Sequence, residues 1–423
     1  MKKFINALLP TSSNAFKRVE LLFDEKIIKI SADEIACEDS CEIIDLNGAM
    51  LLPGAVDAHS HILSDNDSEA KLIGKYSQEA IKGGWTTIAE MSFRSKKPVF
   101  TLDDMKHFAA LVEENSYIDM ALWGNVNIND YPYHAEAAQI LWAKGVVGIA
   151  LYSPSPNPAL QEMSFSEIMD LFMDIYESDT AFSFQGYDTE SDSQYTFDSQ
   201  REAIKKLLRR MQENPIHIPR VSAFETVEFI NSISKRSDIS FSLAMADMME
   251  LFDNTVNPAG YETDLKGYSA ELYELLRTNK IYMITNNSTD NSDKYGELYK
   301  GLPPGLLRYS YTWILSELWK SRKIPLAHCL RMISENPAKR LGIYPQKGCL
   351  EAGSDADFVI FDPQGSTEFK LPDGSTKKLS GNIKAVYLRG TEVFNGKKIA
   401  KPSGSFVTRT NNPKRRHNKT TWI

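Results

Sequence analysis

His59 and His61 form the pattern in this chain with the clearest capacity for chemistry. On an extended strand, residues i and i+2 share a face, so both imidazoles can converge on one divalent ion. Asp57 stands two residues earlier, where a carboxylate can orient a histidine. Glu90, at the end of the next predicted strand, is a further candidate donor. The chain has seven histidines. His107 and His328 fall on predicted outer helices, His417 near the end, and His134 in a loop on the pocket side. The four cysteines give no disulfide framework, and Cys37 and Cys41 lack a second pair nearby, so both read as structural. Such usage fits a reducing cytoplasm. Ser153-Pro-Ser-Pro-Asn-Pro158 predicts a rigid loop. No nucleophilic triad or phosphate loop is present.

The wider composition narrows the class. A length of 423 residues allows two or three domains, or one large barrel with an attachment. Hydrophobic residues are 42% and charged residues 25%, which excludes a disordered or fibrous chain. The net charge of −8 argues against a nucleic-acid partner. No apolar run is long enough for a membrane span. Met1 to Pro10 resembles a secretory leader only briefly, because Asn6 breaks it and no small-x-small site follows.

Elements that could position the histidines follow one another regularly. Ala55 to His59 reads as a strand. Leu72, Ile73, Tyr76, Ala80 and Ile81 then make a helical stripe that ends at Gly83-Gly84. Further strands are expected at Trp85–Met91, Tyr117–Asn125, Val146–Tyr152, Ala181–Gly186, Ile216–Val221, Ile239–Ala244 and Ile281–Asn286. Helices alternate with them, and two carry capping-box signatures, at Thr101/Asp104 and Ser164/Glu167. Eight strand–helix pairs predict a TIM-like (β/α)8 barrel over residues 53–344; an open doubly wound sheet is the alternative. Short strands within 1–52 and 345–400 predict one composite β-sandwich built from both termini, since neither end suffices alone. Residues 401–423 read as a polar basic tail with Lys414-Arg415-Arg416.

The motifs themselves resemble a known family. Leu52-Pro-Gly-Ala-Val-Asp-Ala-His-Ser-His61 is similar to the PGxxDxHxH signature of the amidohydrolase superfamily. Gly83-Gly-Trp-Thr-Thr-Ile-Ala-Glu-Met91 resembles a segment of its cyclic-amide branch, which holds dihydroorotase, allantoinase and dihydropyrimidinase (hydantoinase). Glu335 to Tyr344 and Lys347 to Asp362 resemble its C-terminal signature. The resemblance runs from about residue 20 to about residue 400. It implies a metal-bearing barrel with a sandwich of both termini, hydrolysing a cyclic C–N bond with two metal ions and a bridging hydroxide.

The implied ligand set survives only in part. His59 and His61 match the first strand. The bridging carboxylated lysine of strand four falls at Ala150, and the strand-five histidine falls near Gln185. The strand-six histidine becomes Arg220, which repels a cation. His217, three residues earlier, is expected on the outer face by pleat parity. The strand-eight aspartate, also the general base, becomes Asn286. Arg220, Asn257 and Asn286 are the expected substrate-binding residues. Leu63 stands where dihydroorotase-like chains carry an arginine, so dihydroorotate is not favoured.

Two functions follow from this pattern. One is a homologue with a degenerate metal centre and a binding or structural role toward a small cyclic amide, acting as a homo-oligomer or as a subunit partnering an enzyme. The other is an active hydrolase with a rebuilt mononuclear site at His59, His61 and Glu90. Any ion is expected to be one weakly held divalent metal such as Zn2+, or none.

Overall fold

Alternating buried strands and one-sided helices close around a common axis in a computed structural model of the chain. The structure describes all residues except 12–14, 131, 156, 158–159, 161–162, 176–178, 210–213, 222, 235–237, 254–264, 290–296, 300, 372–373 and 411–423. The first strands are β1 (Lys2–Pro10), β2 (Phe16–Phe23), β3 (Ile27–Ser31), β4 (Glu42–Asp45) and β5 (Met50–Pro53). The barrel strands are β6 (Ala55–Ser60), β7 (Trp85–Glu90), β8 (Asp119–Asn125), β9 (Gly148–Ser153), β10 (Phe182–Gly186), β11 (Ile216–Ile218), β12 (Ile239–Ala244) and β13 (Met283–Thr285). The last are β14 (Phe358–Lys370), β15 (Thr376–Leu388) and β16 (Thr391–Phe394).

β6 to β13 pair in parallel and in chain order, as successive strand–helix units require. The barrel shuts at its mouth where Asn287 N donates to His59 O (3.0 Å) and His61 N donates to Ser288 O (2.8 Å). This is the TIM-like architecture expected from the alternation. The helix Glu69–Lys82 buries Leu72, Ile73, Tyr76, Ala80 and Ile81, each large apolar chain contributing roughly 1.5–3 kcal/mol. Gly84 follows it at φ +80, a left-handed turn that glycine adopts without strain. Both capping boxes form, Thr101 with Asp104 and Ser164 with Glu167.

Both ends of the chain build one mixed sheet in the order β16-β15-β14-β5-β1-β2-β3, with β4 beside β1. β5 is the junction, parallel to β1 and antiparallel to β14. Phe4, Phe23, Phe358 and Tyr387 pack between the two halves, with ring centroids 4.6 Å apart for Phe4–Phe23 and 5.1 Å for Phe23–Phe358. Beyond β16, Met120 N donates to Ser405 O and Val407 N to Met120 O, so residues 405–407 lie along β8. Lys414-Arg415-Arg416 lies outside the described residues. No described helix is long and apolar enough to cross a membrane.

Candidate functional site

The carboxyl ends of the barrel strands bring His59 and His61 together, both buried. Their Nε2 atoms are 2.8 Å apart and the rings meet edge to face at 4.5 Å. One imidazole therefore donates its Nε2 proton to the lone pair of the other, so the pair holds opposite tautomers. Two imidazoles on a tetrahedral zinc, with bonds of about 2.0–2.1 Å, would hold their nitrogens about 3.3 Å apart. The pair thus has the separation of a hydrogen bond, shorter than a shared ion imposes. Burial pushes His59 down to about 3, and the Arg94 guanidinium adds to it; His61 is lowered by burial, by the neighbouring His59 and by Arg94. Both rings are neutral at ordinary pH.

Asp57 is spent on main-chain N–H groups and the Ser60 hydroxyl, and Glu90 on main-chain N–H groups. Asp57 Oδ1 accepts from the main-chain N–H of His59 (3.2 Å) and of Asn286 (3.2 Å), and Oδ2 accepts from Ser60 Oγ (2.6 Å). It positions the strand, where the sequence suggested that it orients a ring. Glu90, read as a candidate ligand, accepts from the main-chain N–H of Ile62 (2.9 Å), Ser92 (2.9 Å) and Leu63 (3.4 Å). It clasps the loops after β6 and β7. Among the described residues, no group of three or more His, Cys, Asp or Glu could hold a metal ion.

Aromatic rings and a buried cation fill the mouth. Phe93 lies 4.4 Å from His61, 4.8 Å from Tyr152 and 5.3 Å from Tyr299, ring to ring. The Arg94 guanidinium sits 5.3 Å from the Phe93 ring centroid and donates to Thr289 Oγ1 and Tyr299 O. Ala150, where the resemblance places the bridging lysine, lines a small recess of about 10 Å3 with Val126, Leu151, Tyr152, Leu160 and Met163. Gln185, at the place of the strand-five histidine, donates through Nε2 to Leu298 O at 2.9 Å. Neither position offers an imidazole or carboxylate ligand, and the positive charge of Arg94 acts on both histidines. These residues do not fit the binuclear centre that the resemblance implies.

Two expectations need correcting. Arg220 does not present a free charge at the mouth: its Nε and Nη2 donate to Asp247 Oδ2 (3.1 Å) and Oδ1 (3.0 Å), both residues buried. A bidentate pair of this kind already gives the guanidinium its anion. Arg220 also adopts φ +51, which ends β11 at Ile218 and breaks the pleat. Parity counted back from Arg220 therefore fails, and His217 faces inward. It shares its level with Ser183 and Ser240 on the neighbouring strands. Its ring stacks on Trp123 at 6.4 Å, lies 6.5 Å from His59, and hydrogen-bonds Ser240 Oγ through Nδ1 at 3.0 Å. Asn286 is buried at the seam between β6 and β13, where its main-chain O accepts from Leu302 N. Asn257 lies outside the described residues.

Sequence reasoning missed Arg94, Tyr299 and Asp247. An arginine just past a barrel strand, followed by no acid in the next four residues, was the available cue for Arg94.

Glu90 supplies a pH test. Burial pushes its carboxyl up to about 8, although the backbone donors pull the other way. A raised acid binds its proton more readily in the folded state, so stability falls as pH rises from about 4.3 in the unfolded chain toward that value. Above about pH 7.5 the buried His59, His61 and His217 are neutral in both states, and Asp57, raised to about 6, is ionised. Unfolding free energy measured in urea is expected to decline from about pH 7.5 to 9, and Glu90→Gln to flatten the decline. Parallel slopes in the two proteins would contradict this assignment.

Known proteins match this arrangement at two levels. Residues 296–393 match the model of the amidohydrolase family. An L-hydantoinase of Paenarthrobacter aurescens is 26% identical, over 96% of this chain and 97% of that protein. An allantoinase of Deinococcus radiodurans is 22% identical, over 89% of this chain and 91% of its own. The solved L-hydantoinase (dihydropyrimidinase) from Arthrobacter aurescens superimposes with a TM-score of 0.80, covering 96% of this chain and 99% of that one at 23% identity.

Proposed function

Because the chain carries an amidohydrolase-family segment and resembles cyclic-amide hydrolases along nearly its whole length, we propose that it is a non-hydrolytic homologue of them. It binds a small cyclic amide or a related molecule at the barrel mouth. The observation that carries this reading is the mutual hydrogen bond of His59 and His61 beside the Arg94 guanidinium. Hydrolysis of a cyclic amide needs a hydroxide generated near neutral pH and a general base. Ala150, Gln185, Arg220 and Asn286 supply neither. We infer further that the protein self-associates or partners a related enzyme subunit. A cytoplasmic setting is supported by its four free cysteines.

A second reading, a mononuclear hydrolase, has one observation in its favour. His217 lies near His59, and its Nε2 has no hydrogen-bond partner among the described residues. Zinc on these rings would require the His59–His61 hydrogen bond to open.

Turnover separates the readings. Hydantoin, 5,6-dihydrouracil, dihydroorotate and allantoin are incubated with the protein and added Zn2+, Mn2+ or Co2+, and ring opening is followed by chromatography. No opening above the uncatalysed rate is expected. Ring opening that disappears in His59→Ala would defeat the proposal.

A further inference from the structure

The loop after β13 sends two residues into the mouth. Leu298 and Tyr299 are both buried, in the short 3-10 turn Glu297–Tyr299. Loop main chain ordinarily satisfies its polar groups at the surface. Here two successive carbonyls are held by side chains at the strand ends of the barrel. Gln185 Nε2, on β10, donates to Leu298 O at 2.9 Å, and Arg94 Nη2, past β7, donates to Tyr299 O. The Tyr299 hydroxyl donates to Pro154 O at 2.9 Å, just past β9. Its ring lies 5.3 Å from Phe93 and 6.3 Å from Tyr152, tilted to both. Three strand ends thus converge on one flat ring and two carbonyl oxygens.

We propose that Leu298 and Tyr299 are a built-in occupant of the mouth, standing where a flat ring ligand with two carbonyl oxygens would bind and competing with it. The inference rests on the reading above that the mouth is a binding site. Withdrawing the turn would take these acceptors from the buried Gln185 amide and Arg94, an unfavourable change for buried donors. A displacing ligand must therefore bring equivalent acceptors, and a ring face for Phe93 and Tyr152. This selects for a cyclic diamide or imide over an aliphatic molecule of the same size. Gln185, near the place where the resemblance implies a metal ligand, acts here as a donor to the Leu298 carbonyl.

Competition lowers apparent affinity by the fraction of molecules with the turn withdrawn. Hydantoin and 5,6-dihydrouracil are titrated against the intact protein and followed by ligand-observed NMR. Tyr299→Ala is expected to bind them about 10-fold more tightly than the parent. Adding Gln185→Leu to that variant is expected to abolish the gain. Equal affinity in parent and Tyr299→Ala, or no binding by either, would overturn the inference. Hydrogen exchange on the parent covers the case in which Tyr299→Ala fails to fold. Saturating hydantoin is expected to speed exchange at the Leu302 amide, which now donates to Asn286 O. Unchanged exchange there would also overturn it. Hydrolysis of either probe would defeat the non-hydrolytic function and leave the competition itself standing.

Discussion

Methionine in place of Lys347 is expected to remove about 3–5 kcal/mol of folding stability, the cost of breaking a buried ion cluster from one side. The Lys347 ammonium is fully buried and faces three carboxylates: Asp119, Asp355 at 2.9 Å and Asp357 at 2.9 Å. Burial alone would lower its pKa. The three carboxylates more than offset that and hold it above the ordinary lysine range. Asp119 opens β8 of the barrel, while Asp355 and Asp357 lead into β14 of the terminal sheet. The cluster therefore ties the two parts of the molecule together. Arg389 donates to Asp119, and Lys26 pairs with Asp355 at 2.9 Å, so two cations remain in the variant. They are too few for three carboxylates in a low-dielectric setting. The deficit has a definite pH dependence. A lysine held above its usual pKa stabilises at all pH values below about 10, so the loss persists through neutrality. Toward pH 4 the carboxylates can take up protons in the variant, and the deficit shrinks. Urea unfolding of parent and variant at pH 4.5 and 7.5 checks both points; a deficit under about 1 kcal/mol at pH 7.5 would sink the assignment.

Trp123→Ala is the second substitution with a large expected cost, about 3–5 kcal/mol, as for other buried tryptophans cut to alanine. Trp123 is fully buried in the barrel. Its indole Nε1 donates to Ala58 O at 3.0 Å, and its ring stacks on His217. Gly148, on the adjacent strand, makes the room: a Cβ there would lie 2.2 Å from the indole. Alanine at 123 would leave a void against a residue with no side chain to fill it, and would strand the Ala58 carbonyl. Loss of this size consumes a large share of the 5–15 kcal/mol typical of a folded domain. Thermal unfolding monitored by circular dichroism is expected to show the loss as a lower midpoint. An unshifted midpoint would mean that the indole is not a packing element.

The sequence carried the architecture well because the architecture is local. Helix stripes such as Leu72 to Ile81, capping boxes at Thr101 and Ser164, and the i, i+2 spacing of His59 and His61 depend on neighbours a few residues apart. The barrel and the composite sheet follow from summing such signals. The mouth was less legible, because its decisive contacts are distant in the chain. Arg94 and Tyr299 are 205 residues apart, and Lys347 and Asp119 are 228. His217 was misplaced for a different reason. Pleat parity holds only while a strand continues, and the left-handed backbone of Arg220 interrupts it. Arg220 was misread because its partner, Asp247, lies on a separate element 27 residues further on. The resemblance drew attention to Ala150, Gln185 and Asn286, but the Phe93 ring cluster and the Arg94 guanidinium near them could not be read from it.

The central claim is that His59 and His61 hold each other and do not jointly hold a metal ion. Its most direct test is the metal content of the intact protein, measured by inductively coupled plasma mass spectrometry after equilibration with zinc and removal of free ion. The account predicts bound zinc well below one equivalent, with no difference between the parent and the His59→Ala/His61→Ala double variant. About one equivalent in the parent, lost in the double variant, would contradict it.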